Sequence, residues 1–165
     1  MPARKFLADA MLGSLARWLR VMGYDTHYQS HYREQVLGEL ISEGRGLLSR
    51  HRKTVSRYPG SLLILSDRVH EQLLQVREAG LLHPGDSMGW FTRCLMCNEI
   101  LEKAVPSEAR ENVPDHVFHE KEKEISFCPS CRRYYWPGSH RERMIGQLRG
   151  WGFEAYPRNP IKSPD

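Results

Sequence analysis

At 165 residues, the chain is long enough for one domain of ordinary size plus a small appendage, and 24 lysines and arginines against 20 acids make it mildly basic. Its longest apolar stretch, Leu62 to Leu65, is far too short to cross a bilayer, so no membrane-spanning helix is expected. Four cysteines fall short of a disulfide-built secreted protein, and Met1-Pro-Ala-Arg-Lys5 leads straight into a strand-like run, which makes the cytoplasm the expected compartment.

Taken in chain order, Lys5-Phe-Leu-Ala reads as a short buried strand ending at Asp9. Leu12, Leu15, Ala16, Leu19 and Met22 then fall on one helix face, stopped by Gly23. Tyr24 to Tyr28 reads as a second strand, and Val36, Leu37, Leu40 and Ile41 as a second helical face ending at Gly44. Arg45 to Ser49 is a third strand and Ser61 to Ser66 a fourth, joined by a basic helix or turn that Pro59-Gly60 closes. His70 to Ala79 is helical, with Gly80 as its stop. Four alternations of strand and helix predict an α/β domain, a parallel sheet flanked by helices, over residues 1–82.

Leu82 to Gly89 is turn-rich and reads as a linker, followed by a second domain over residues 90–150 and a Pro-rich tail over 151–165. The charge run from His119 to Glu124 reads as a solvated hairpin or loop, and Arg141 to Leu148 as a closing helix. Leu19-Arg-Val-Met-Gly-Tyr-Asp25 is echoed by Leu148-Arg-Gly-Trp-Gly-Phe-Glu154, the grammar of a helix end turning into an extended segment.

The second domain carries the sharpest motif, Cys94-Leu-Met-Cys97 and Cys128-Pro-Ser-Cys131, separated by thirty residues. A two-residue gap lets both sulfurs of a knuckle face one point, and two knuckles supply the tetrahedral thiolate set that Zn2+ takes. Such a closed site is structural, so chemistry belongs elsewhere. Basic residues cluster twice. Arg45, Arg50, Arg52, Lys53 and Arg57 occupy a stretch without an acid, and Arg132, Arg133, Arg141, Arg143 and Arg149 interleave with Tyr134, Tyr135, Trp136 and His140. Phosphate backbones and unstacked bases call for such clusters, although arginines also serve as plain solvated surface and the aromatics as the core of a small ribbon.

In an open parallel sheet, ligands bind outside the carboxyl ends of the strands. Those ends expose Asp9, then Ser49-Arg50-His51, then Ser66-Asp67-Arg68. Asp9 and Asp67 are the acids positioned to hold Mg2+ or Mn2+ for phosphodiester cleavage, and each is equally suited to capping the helix that follows.

Phe6-Leu-Ala-Asp-Ala-Met-Leu-Gly13, running on through Arg17-Trp-Leu-Arg20 to Gly23-Tyr-Asp25, resembles the opening of the PIN-like ribonuclease domain of the mut-seven C-terminal type. The two knuckles, with Tyr135-Trp-Pro-Gly-Ser-His-Arg-Glu-Arg-Met144, resemble the zinc ribbon that follows it in free-standing members. The resemblance implies a PIN-like α/β fold, an acidic metal-binding pocket and RNA as substrate. The chain departs from the pattern where Leu47-Leu-Ser-Arg-His-Arg52 puts His51 at a family acid position, and where His27-Tyr-Gln-Ser-His-Tyr-Arg-Glu34 replaces an aspartate-rich segment. Asp9 matches well, Asp67 loosely, and Glu34 is a substitute.

Two readings follow. In one, Asp9, Asp67, Glu34 and His51 serve an endoribonuclease using Mg2+ or Mn2+, or His31 and His51 ligate a softer ion or act as acid and base without metal. In the other, the pocket is degenerate and the chain binds RNA or a ribonucleoprotein through Arg17, Arg50, Arg52, Lys53, Arg132, Arg133, Arg141 and Arg143. A weaker third reading makes the ribbon a docking module for a protein.

Overall fold

The computed structural model describes residues 4–155; the tail expected beyond Tyr156 lies outside them. Among the described residues, 4–98 gather into one unit and 99–155 into another.

In the first unit, strand β1 (Lys5–Ala8) leads through a 3-10 turn at Ala10–Leu12 into helix α1 (Gly13–Val21). Strand β2 (Thr26–Tyr28), helix α2 (Glu34–Ser42), strand β3 (Arg45–Ser49), helix α3 (Arg52–Arg57), strand β4 (Leu62–Leu63) and helix α4 (Val69–Glu78) follow. All four strands are parallel, in the order β2-β1-β3-β4. Because side chains alternate across a strand, Leu7 and Leu47 face one side of the sheet. There they pack with Leu37, Leu40, Ile41 and Tyr58 from the α2 and α3 region. Phe6, Ala8 and Leu48 face the other side and are fully buried, with α1 and α4 packed together on that flank. The α/β expectation, a parallel sheet with helices on both faces, is met.

α1 and α7 (Ser139–Gly150) stop in the same way. The N–H of Tyr24 bonds the carbonyl of Leu19 and that of Gly23 bonds Arg20, while Phe153 bonds Leu148 and Gly152 bonds Arg149. This is a Schellman closure, with its glycine left-handed at φ +86° (Gly23) and +84° (Gly152). The echo between the two segments is therefore one cap used twice, with Tyr24 and Phe153 buried behind it. Gly23 has a second constraint, since a Cβ there would lie 2.3 Å from the Gly89 carbonyl oxygen.

The segment expected as a linker is bonded to this helix end. Ser87 Oγ donates to Met22 O, Met88 N–H to Gly23 O, and Phe91 N–H to Val21 O. The fourth strand is shorter than expected, with ladder residues only at Leu62 and Leu63. After Ile64 N–H bonds Ser49 O, the outer face is taken by a side chain. Gln75 Nε2 donates to Leu63 O at 2.6 Å, and Leu65 N–H donates to Gln75 Oε1 at 3.0 Å. The carboxamide occupies the place of a neighbouring peptide and blunts the edge.

In the second unit, β5 (Glu102–Lys103), β6 (Ser126–Phe127) and β7 (Tyr134–Tyr135) form an antiparallel sheet in that order. Between β5 and β6 lie helices α5 (Pro106–Asn112) and α6 (Asp115–Lys121) and a 3-10 turn at Glu122–Glu124. The charge run expected as a hairpin or loop is thus helical. Val117, two residues before it, and Ala109 and Val113 supply the buried positions that anchor the two helices against Ala104 and Ile125. Phe127, Tyr134 and Trp136 pack on this cluster, so these aromatics form the core of the small unit. No described helix is long and apolar enough to cross a membrane.

Candidate functional site

In the order β2-β1-β3-β4, the chain leaves β1 toward β2 and then returns to β1's other side as β3. The switch point is therefore between the carboxyl ends of β1 and β3, the place where open α/β sheets bind ligands. Asp9 and Ser49 meet there. Asp9 N–H bonds the Leu48 carbonyl at 3.0 Å, and Ser49 Oγ donates to Asp9 Oδ2 at 2.6 Å. Ser49 Oγ in turn accepts the His51 N–H at 3.0 Å, and Asp9 Oδ1 accepts the Ala10 N–H at 2.7 Å. Each oxygen of Asp9 thus holds one fixed donor. The carboxylate caps the turn that opens toward α1 and is half-buried.

The other sequence candidates are distributed around this edge. The His51 side chain is exposed and its residue precedes α3 as the N-cap, while Arg50 is half-buried and Arg52 and Lys53 are exposed in the first turn. Arg17 is exposed on α1. Glu34 opens α2, and its carboxylate is engaged by Arg57. Asp67 is exposed and caps nothing: Ser66 Oγ accepts the Arg68 N–H at the start of α4 and also bonds Glu71. Among the described residues, the one convergent group of three or more His, Cys, Asp or Glu ligand atoms is that of the cysteines. His31 is exposed, whereas His27 is half-buried with Nδ1 2.8 Å from the Tyr32 hydroxyl. Burial, then the charges of Arg45 and Arg20, holds the His27 imidazole below the usual histidine range. Burial pushes the Tyr32 phenol up to about 12, with the Asp9 charge adding to it. Tyr28 OH bonds the Ala10 carbonyl at 2.9 Å.

Ser49, Tyr28 and Tyr32 were not legible as site residues. Ser49 has a usable signal in its spacing two residues beyond Leu47, which puts it on the same sheet face at the strand end.

The opposite, amino-terminal edge of the sheet is occupied by a dense polar network. Arg45 Nη1 donates to Asp25 Oδ1 at 2.7 Å and to Phe6 O at 3.1 Å, and Asn98 Nδ2 donates to the same Asp25 oxygen at 2.8 Å. Asn98 Oδ1 accepts the Thr26 N–H at 2.9 Å, and Arg93 Nη1 donates to Asn98 O at 3.0 Å. Burial alone would raise the Asp25 carboxyl, but hydrogen bonds from Arg45 and Asn98 and the charges of Arg45 and Arg93 outweigh it and hold it below its usual range. The first knuckle, Cys94 to Cys97, is therefore seated at the edge away from Asp9.

The knuckles themselves are conformational copies. Asn98 and Arg132, each directly after a second cysteine, are left-handed at φ +70° and +62°, and their N–H groups bond the carbonyls of Cys94 and Cys128 at 2.9 Å. Cys131 N–H points at Cys128 Sγ, 3.5 Å away. The four sulfurs all lie within 4.8 Å of one another. Zn–S bonds of about 2.3 Å would place tetrahedral sulfurs about 3.8 Å apart, so the donor set fits Zn2+ both in chemistry and in spacing.

Around the second knuckle, Arg132 is exposed with its guanidinium 5.7 Å from the Phe127 ring centroid. Arg133 is exposed, and its carbonyl accepts the Cys128 N–H. Arg141 is half-buried, while Arg143 is exposed on the α7 surface beside His140, Met144 and Gln147. These four arginines belong to the second unit and Arg17, Arg50, Arg52 and Lys53 to the first.

The family model described as Mut7-C RNAse domain matches residues 4–148. Neither the curated proteins nor the solved structures give a match.

Proposed function

The chain belongs to the Mut7-C RNAse domain family, and from that premise we propose that it grips RNA, free or within a ribonucleoprotein, with the carboxyl edge of its sheet as the seat for the phosphate backbone. One observation carries this reading. At the switch point Asp9 is tied to Ser49 and Ala10, no group of three or more His, Cys, Asp or Glu ligand atoms converges there among the described residues, and the chain that runs on from Ser49 supplies Arg50, His51, Arg52 and Lys53 where cation binding needs further acids. Mg2+ and Mn2+ require several hard oxygen ligands, and imidazole adds no negative charge to attract them. The donors at this edge therefore do not fit such an ion by themselves. Arg132, Arg133, Arg141 and Arg143 supply a second basic set in the ribbon, whose four thiolates serve as a closed structural zinc site.

The endoribonuclease reading is supported by the RNAse domain family match and by the position of Asp9 at the topological switch point. A single experiment separates the two. A labelled mixed-sequence RNA is titrated with wild type and Asp9→Asn at several salt concentrations, and its integrity is followed with Mg2+ or Mn2+ present. Binding that weakens steeply with salt, survives Asp9→Asn and leaves the RNA intact is the expected result. Metal-dependent cleavage abolished by Asp9→Asn would replace the gripping module with the enzyme. Absence of RNA binding at low salt would remove both.

A further inference from the structure

Arg20 is the unexplained charge of the α/β unit. It lies in the last turn of α1 on the flank of the buried stripe, four residues after Ala16, and is 5% exposed. A guanidinium so deeply placed requires acceptors for its fork and a counter-charge for its cation. Its acceptors are both neutral: Nε donates to Thr26 O at 2.9 Å and Nη1 to Leu95 O at 3.0 Å. None of the ion pairs among the described residues involves it. Leu95, however, lies between Cys94 and Cys97, so the guanidinium is bonded to the backbone inside the first knuckle.

Four thiolates around one Zn2+ leave a net charge of −2, and Cys94 is fully buried. That residual charge requires compensation from protein donors and cations around the sulfurs. Burial weighs most on the Arg20 guanidinium and disfavours its charge; Cys94 and then Cys97 act in the opposite sense, ahead of Tyr32 and Asp25. The buried cation without a carboxylate and the metal centre with excess negative charge are complementary.

We propose that Arg20 is the positioning residue and electrostatic partner of the four-cysteine metal centre: it fixes the first knuckle through the Leu95 carbonyl and offsets the negative charge that the thiolates leave on a bound Zn2+. The first knuckle is then a prebuilt half-site. Asn98 ties its end to Thr26 and Asp25, and Arg20 ties its middle to the end of α1.

The test is metal affinity on the full chain, read by competition with a chromophoric zinc chelator and by the thiolate-to-metal charge-transfer band of the Co2+-substituted protein. Arg20→Gln keeps a hydrogen-bond donor and removes the cation. It is expected to weaken Zn2+ and Co2+ binding by about tenfold or more, the range found for outer-shell partners of metal ligands. Arg20→Lys keeps the charge and loses the fork, and is expected to restore most of that affinity. A folded Arg20→Gln protein with wild-type affinity overturns the proposal. So does an Arg20→Lys protein as weak as Arg20→Gln, because charge would then be irrelevant. If Arg20→Gln does not fold, Arg20→Lys decides alone: near-wild-type affinity and an unchanged Co2+ spectrum support the assignment, and a tenfold loss in the folded protein overturns it.

Discussion

The two edges of the parallel sheet solve opposite problems. At the amino edge, Arg45 and Asn98 share Asp25, Arg93 and Arg20 bond backbone carbonyls of the first knuckle, and Arg45 Nε is buried without a hydrogen-bond partner. At the carboxyl edge, Asp9 holds a short chain through Ser49 to the His51 N–H, and the charged side chains beyond it reach solvent. Both edges are polar, but at the amino edge the polar side chains are held by one another and by backbone carbonyls, with Asp25 the one carboxylate among three arginines. That difference separates a surface built to hold a structural element from one left to meet a ligand.

The largest expected effect tests the amino edge through its metal. Zinc removal by a chelator, or Cys97→Ser, is expected to disorder the ribbon, since structural zinc supplies on the order of 10 kcal/mol of folding free energy in small zinc domains. The α/β unit should persist, because Phe6, Leu7, Leu15, Leu19, Leu47 and Leu48 are buried without help from the ion. Metal analysis should give one zinc per chain, and amide exchange should locate the lost protection beyond Asn98. A ribbon that keeps its protection without metal would contradict the structural role.

Next comes the network itself. Asp25→Ala strands the Arg45 guanidinium, whose side chain is 12% exposed, and is expected to cost about 2 kcal/mol in urea unfolding. Asp9→Ala removes a cap and one serine partner and is expected to cost about 1 kcal/mol. Equal losses at the two sites would erase the contrast between the edges.

The smallest effect is a pH dependence. His27 has its folded-state pKa lowered, so the unfolded chain binds a proton more readily. Its contribution is complete above the ordinary histidine value of about 6.5 and is lost progressively as pH falls below it. Asp25, also depressed, acts lower: its stabilisation is present above the ordinary carboxylate value and is lost as pH falls through its folded pKa. His27→Gln should therefore flatten the stability profile just below about pH 6.5 and leave the carboxylate limb in place. A profile unchanged by His27→Gln would show that burial and the Arg45 and Arg20 charges do not discriminate between imidazole charge states.

Short-range features were the legible ones. Helix periodicity placed α1, α2 and α4, the glycine after each marked its stop, and the spacing of Leu19-Arg-Val-Met-Gly-Tyr24 against Leu148-Arg-Gly-Trp-Gly-Phe153 disclosed a repeated cap. Where distant groups intervened, local pattern failed. The fourth strand was cut short because Gln75, twelve residues after Leu63, takes its outer hydrogen bonds. The charged run after His119 became helical because Val117 and Ala109 have a sheet to pack against.

By itself, then, the sequence determined the parallel α/β architecture, the two knuckles with their thiolate ligand set, and the position of Asp9 at a strand end. Each depends on spacings of a few residues, which chain stereochemistry converts directly into geometry. Only the tertiary structure decided what the charges do. Glu34 is engaged by Arg57 across 23 residues, Asp25 is engaged by Asn98 across 73, and Arg20 reaches Leu95 across 75. A carboxylate or guanidinium carries no mark of its partner in the chain; the partner is chosen when burial makes an unpaired charge costly and the fold brings one within reach.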